Sequence, residues 1–84
     1  MELKVLGTGC AKCKKLFAEA EKAIAAYGTP VSLVKVEEIQ KIMAYGVRMT
    51  PALVLEDQVK SAGRITPASE ILTWLQEAGA ETRT

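Results

Sequence analysis

Near the start of the chain, residues 11–27 form a helical pattern between two short apolar runs, and this arrangement narrows the possible folds sharply. Leu3-Lys4-Val5-Leu6 reads as a strand that ends in the loop Gly7-Thr8-Gly9. From Cys10 to Tyr27, the residues Cys13, Leu16, Phe17, Ala20, Ile24 and Tyr27 recur three or four apart and share one face. Lys14, Lys15, Glu19, Glu21 and Lys22 take most of the remaining positions. Gly28 stands where a left-handed cap ends a helix, and Pro30 blocks continuation. Val31 to Val36 follows as a β-branched strand. Two strands joined by a helical crossover pair in parallel, so the first 36 residues predict a βαβ unit.

The rest of the chain extends that unit. Glu37 to Tyr45 reads as a short helix that buries Ile39, Ile42 and Met43 and closes at Gly46. Ala52 to Leu55 and Val59 to Ala62 flank Glu56-Asp57-Gln58 as an antiparallel hairpin. Thr66 is the expected cap of a last helix, with Pro67 in its first position. That helix carries Ile71, Leu72, Trp74, Leu75 and Ala78 and ends at Gly79, leaving Ala80 to Thr84 as a fraying tail. The predicted order is β-α-β-α-β-β-α, an α/β fold with helices on both faces of a four-stranded mixed sheet. With 84 residues and no linker or repeat, a single domain spanning 1–84 is expected.

Composition removes several function classes. Eleven basic and ten acidic residues give a formal charge of +1, which offers no excess for a phosphate backbone. Four aromatic residues supply few stacking platforms for single strands, so nucleic-acid binding is not expected. Histidine is absent, which excludes Ser/His and Cys/His nucleophile pairs and every His-containing metal site. No apolar run reaches the ~18–20 residues of a membrane span, and Met1 to Gly7 is too short and too charged for a secretory signal. A cytoplasmic monomer with no membrane contact and no cofactor is the expectation.

Cys10-Ala11-Lys12-Cys13 is the specific feature. A disulfide across so small a loop would stabilise the fold little, because the entropic gain grows with loop length. The pair therefore suits chemistry better than stapling. Cys10 falls where the first N–H groups of the helix lack partners, a setting that favours a thiolate. Cys13 belongs to the buried stripe, within reach of Cys10. An exposed acidic thiol ahead of a shielded one suits attack followed by resolution. Lys12, Lys14 and Lys15 crowd the helix start, where cations are unfavourable. They form a solvated face, or they act on Cys10 or on an acidic partner. Gly7-Thr8-Gly9 is not a dinucleotide loop, since Lys12 takes the third glycine position and the chain is too short for that fold.

Met49-Thr50-Pro51 precedes the apolar strand, and a proline there belongs at the strand's start. Together with the strand-loop-CxxC-helix opening, it resembles the thioredoxin-like superfamily. The whole chain, over roughly residues 2–76, is similar to the small, glutaredoxin-sized thioredoxin-like redox-active disulfide proteins. The matching stretches are Lys4 to Cys10, Tyr45-Gly46-Val47, Thr50 to Val54, and Glu70-Ile71 through Trp74-Leu75. The resemblance implies a thioredoxin-like fold and thiol–disulfide exchange, with a redox disulfide between Cys10 and Cys13. It makes Cys10 the nucleophile, Cys13 the resolving thiol, Pro51 a cis-proline, and Thr50 the residue whose backbone pairs with a bound chain. It also implies a thioredoxin-reductase-like or glutathione-type electron donor and protein disulfide targets. Gly9 stands where thioredoxins carry a tryptophan, Ala11-Lys12 replaces the family's dipeptides, and Gly63 alone represents glutaredoxin's glycine pair. The first strand holds no acid to match the buried aspartate of thioredoxins.

The alternative is a soft-metal carrier. Two thiolates suit Cu(I), and the Gly-Thr-Gly-Cys-Ala-Lys-Cys loop resembles that of small copper chaperones. Such carriers have a β-α-β-β-α-β order, which gives a structural discriminator.

Overall fold

The computed structural model describes residues 1–82, and the predicted element order is the observed one. Strand β1 (Glu2–Leu6) is followed by α1 (Ala11–Tyr27), β2 (Ser32–Val36) and α2 (Ile39–Ala44), then β3 (Ala52–Leu55), β4 (Gln58–Ala62) and α3 (Ala68–Thr82). The sheet order is β2-β1-β3-β4. β1 pairs in parallel with β2, as the α1 crossover requires, and antiparallel with β3, which pairs antiparallel with β4.

Side-chain alternation sorts the two sheet faces. Leu3, Val5, Leu53 and Leu55 point to one side, where Leu16, Ala20 and Ala23 of α1 and Ile71 and Leu75 of α3 cover them. Leu6, Ala52 and Val54 point to the other, against Ile42 and Val47. All four residues of β3 are buried, which explains its unbroken apolar run. Helices therefore lie on both faces, α1 and α3 on one and α2 on the other. Gly28 caps α1 at φ 77° and donates its N–H to the Ile24 carbonyl at 3.2 Å.

Several local expectations are corrected. Ile39 and Met43 are exposed, at 64% and 66%, because α2 has only six residues and presents Ile42 alone to the sheet. The helix also begins at Ile39 rather than Glu37, and β2 begins at Ser32 rather than Val31. Thr66 does not cap α3. Its hydroxyl pairs with Ser61 at 2.7 Å in the interior, and Glu19 of α1 accepts from the Ala68 N–H at 3.0 Å instead. Pro67 precedes the helix, and its carbonyl accepts from Ile71. The hairpin turn has two residues, Glu56 and Asp57, since Gln58 already pairs with Leu55.

Gly79 does not stop α3, which continues to Thr82. A side chain at 79 would strike the Tyr27 hydroxyl, so the glycine marks a close approach of α1 and α3 rather than a terminus. Of the tail expected to fray, 83–84 lie outside the described residues.

Candidate active site

The site is assembled where β1 runs into α1. The Gly7 N–H bonds to the Val36 carbonyl at 2.9 Å, carrying the β1–β2 ladder one step past the strand. Gly9 then adopts φ 86°, a left-handed conformation that favours glycine, and turns the chain into the helix. Cys10 becomes the N-cap of α1, with φ −69° and ψ 168°. Its carbonyl accepts from Lys14 N–H at 3.0 Å, and its sulfur accepts from Cys13 N–H at 3.3 Å. A cysteine thus performs the capping role that serine or aspartate commonly fills.

The two sulfurs are 2.6 Å apart and unbridged. Cys10 is exposed, whereas Cys13 is 5% exposed. Hydrogen bonding from Cys13 holds the Cys10 thiol below its ordinary value, chiefly from the side chain and then from the backbone N–H. Burial pushes the Cys13 thiol up, and the bond to Cys10 adds to the rise. The pair is therefore split in the sense expected from the sequence, with the exposed sulfur the better thiolate.

Gly7 explains how Cys13 fits. A side chain at Gly7 would collide with the Cys13 sulfur, and its Cβ would stand 4.0 Å from Pro51 Cα. The glycine therefore brings β1, the α1 sulfur and the start of β3 together. The Thr50–Pro51 peptide bond is cis, as the resemblance implied. Pro51 is buried and its carbonyl accepts from Gly63 N–H at 2.8 Å. Thr50 is exposed and makes no hydrogen bond to any described residue. The start of α1, with Cys10 and Cys13, and the Thr50-Pro51 entry to β3 thus meet across Gly7 at one end of the sheet.

Beside Cys13 lies a cleft of about 380 Å³ that Gly7, Gly9, Lys14, Phe17, Lys35 and Glu37 also line. The Lys35 ammonium sits 4.6 Å from the centre of the Phe17 ring, a cation–π contact. Sequence reasoning singled out neither Lys35 nor Glu37, because the pairing of β2 with β1 is what brings the end of β2 and the residue after it to the cleft beside Cys13. Nor did it single out Gly7 as a packing requirement. A larger cleft of about 710 Å³ opens between β1, β2 and α2, but it contains neither cysteine. Chemistry rather than volume selects the site. The two sulfurs could hold a Cu(I) ion, but among the described residues no group of three or more Cys, His, Asp or Glu gathers to ligate a metal.

A family profile described as a thioredoxin domain matches residues 1–76. The chain belongs to the thioredoxin family. It is 31% identical over 71 residues to a thioredoxin of Methanothermobacter thermautotrophicus, covering 84% of this chain and 92% of that protein. A thioredoxin of Methanocaldococcus jannaschii is 30% identical over 69 residues, covering 82% of this chain and 79% of the relative. In three dimensions the chain superposes on malaria-parasite thioredoxin-2 with a TM-score of 0.69, covering 90% of this chain and 81% of that one. A second malarial protein gives 0.67, covering 90% and 93%. Both structures are 14% identical to this chain, so what they share with it is the thioredoxin-like fold. Family membership and the Cys10–Cys13 pair make the chain a thiol–disulfide oxidoreductase of the thioredoxin kind. The element order is not the β-α-β-β-α-β of the copper-carrier alternative. Among the described residues, no helix is long and apolar enough to cross a membrane.

Proposed function

We propose that the chain, a single domain over residues 1–84, reduces protein disulfides with Cys10 as nucleophile and Cys13 as resolving thiol. The observation that carries the reading is the asymmetric pair, with an exposed, capped Cys10 sulfur 2.6 Å from a buried Cys13 sulfur. The Cys10 thiolate attacks one sulfur of the substrate, forming a mixed disulfide and expelling the other sulfur as a thiolate. Cys13 then loses its proton and attacks the Cys10 sulfur. That step closes the Cys10–Cys13 disulfide and expels the second substrate thiolate. Two electrons pass to the substrate, and two protons are taken up as its thiolates protonate. Thr50, whose main chain makes no hydrogen bond to a described residue, would pair with a bound peptide strand, next to Pro51, which approaches the Gly7 backbone that packs on the Cys13 sulfur.

The electron donor in this reading is a thioredoxin-reductase-like enzyme rather than glutathione, supported by two relatives that are both thioredoxins. The compartment is the cytoplasm, where thiols are kept reduced, and the working form is a monomer. The test couples the purified protein and a protein disulfide substrate to either thioredoxin reductase with NADPH or glutathione with its own reductase. Cys10→Ser is expected to abolish reduction, and Cys13→Ser to accumulate a mixed disulfide through Cys10. Substrate reduction by Cys10→Ser would overturn the role assignment. Turnover supported by glutathione alone would overturn the donor assignment.

A further inference from the structure

We infer that the surface around Cys10 receives an acidic chain, so that the preferred substrate is a protein disulfide flanked by Asp and Glu side chains. This inference rests on the oxidoreductase reading above and names its substrate class. Lys12, Lys14 and Lys15 are all exposed in the opening turns of α1, and no acid occupies the first turn. A helix start already carries a partial positive charge, so three lysines there oppose the helix's own electrostatics. Intramolecular pairing does not explain them. Neither these lysines nor Arg48, in the loop leading to Thr50, forms an ion pair with any described residue.

Of the other cations among the described residues, Lys35 lies over the Phe17 ring and Lys60 donates to the Gln58 side-chain oxygen. Lys4, Lys22, Lys41 and Arg64 are each paired with a carboxylate. Several acids are likewise engaged away from Cys10. Glu2 and Asp57 hold Lys4, and Glu56 lies beside the N-terminal amine. Glu19 is held by Lys22, Glu38 by Lys41 and Glu70 by Arg64. Glu37 is the carboxylate lining the Cys13 cleft, where it shares the walls with Lys14 and Lys35. The nucleophile therefore sits at a helix start that carries three unpaired lysines against one nearby carboxylate, Glu37, whose Oε2 lies 3.6 Å from where a Cβ on Gly9 would stand, in a chain whose overall charge is only +1. Such a local field attracts an acidic chain and raises its encounter rate without adding a contact to the sulfurs.

The test uses disulfide peptides that are identical except for four flanking residues, which are acidic, neutral amide or lysine. The reduced protein is mixed with each, and second-order rate constants are measured at low and at high salt. The acidic peptide is expected to react about tenfold or more faster than the neutral one at low salt. The ratio should fall toward one at ~0.5 M salt, where surface charges are screened. In a Lys12→Gln, Lys14→Gln, Lys15→Gln variant, the ratio should approach one even at low salt. Because each ratio is taken on one protein, altered thiol reactivity cancels from it. A wild-type ratio of one, or a ratio unchanged in the variant, overturns the inference while leaving the oxidoreductase reading intact. Failure to reduce any of the peptides would instead overturn both.

Discussion

The hydrogen bond from the Cys13 side chain is the largest influence lowering the Cys10 thiol, ahead of the backbone N–H groups of Cys13 and Lys12. Thiolates rather than thiols react, so alkylation of Cys10 should rise with pH through a midpoint below the ordinary thiol value of about 8.5. Below that midpoint the sulfur is protonated and the rate falls. Cys13→Ala removes the main influence, and the Cys10 midpoint should move upward. Cys13 in a Cys10→Ala background should react slowly, with a midpoint above the ordinary value, because burial acts on it first. Rates of iodoacetamide labelling across pH, followed by mass, check these outcomes. An unmoved Cys10 midpoint in Cys13→Ala would leave the helix N–H groups as the sole cause.

Among the elements, the β3–β4 hairpin combines a tight turn with unsuited residues. Glu56 and Asp57 have φ of 50° and 64°, the left-handed values of a two-residue turn that favours Asn and Gly. Asp57→Gly should relieve part of this cost and stabilise the protein by about 0.5–1 kcal/mol. The lost contact to Lys4, at 3.7 Å on a side chain 82% exposed, offsets little of that gain. Thermal unfolding should shift upward by roughly 2–8 °C. No rise would mean that the turn is relaxed by its bonds to Lys4 and Glu2. The same turn shows where sequence reading loses force. Gly28, Pro30 and the α1 stripe declared themselves locally, and so did the placement of Cys10 at a helix start. Glu-Asp carries no turn signature, so the loop was expected to be one residue longer. Gly79 has the form of a helix stop, and only the Tyr27 ring on a different helix gives it another purpose. Ile39 and Met43 fit a helical stripe, but the short α2 leaves them in solvent. Gly7, Lys35 and Glu37 gain their relation to Cys13 from strand pairing, which no local window contains.

Across the whole molecule, topology gives the chain a direction. β1 and β2 run in parallel, so both deliver their C-terminal ends to the side where α1 begins, and β3 starts there because it is antiparallel to β1. Leu6 pairs with Ala52 near the sulfurs, while Leu3 pairs with Leu55 at the far end, next to Glu56 and Asp57. Consequently, the hairpin turn is a natural mounting point, where added chain hangs away from whatever Cys10 is reducing. Inserting four Gly/Ser residues between Glu56 and Asp57 should cost about 1 kcal/mol of loop entropy. Its rate constant with a protein disulfide should match that of the uninterrupted chain. A slowed reaction in a folded insertion variant would show that the two ends communicate. An unchanged rate would make this turn the place to attach a fluorophore, a surface or a second domain while the reactive tip stays free.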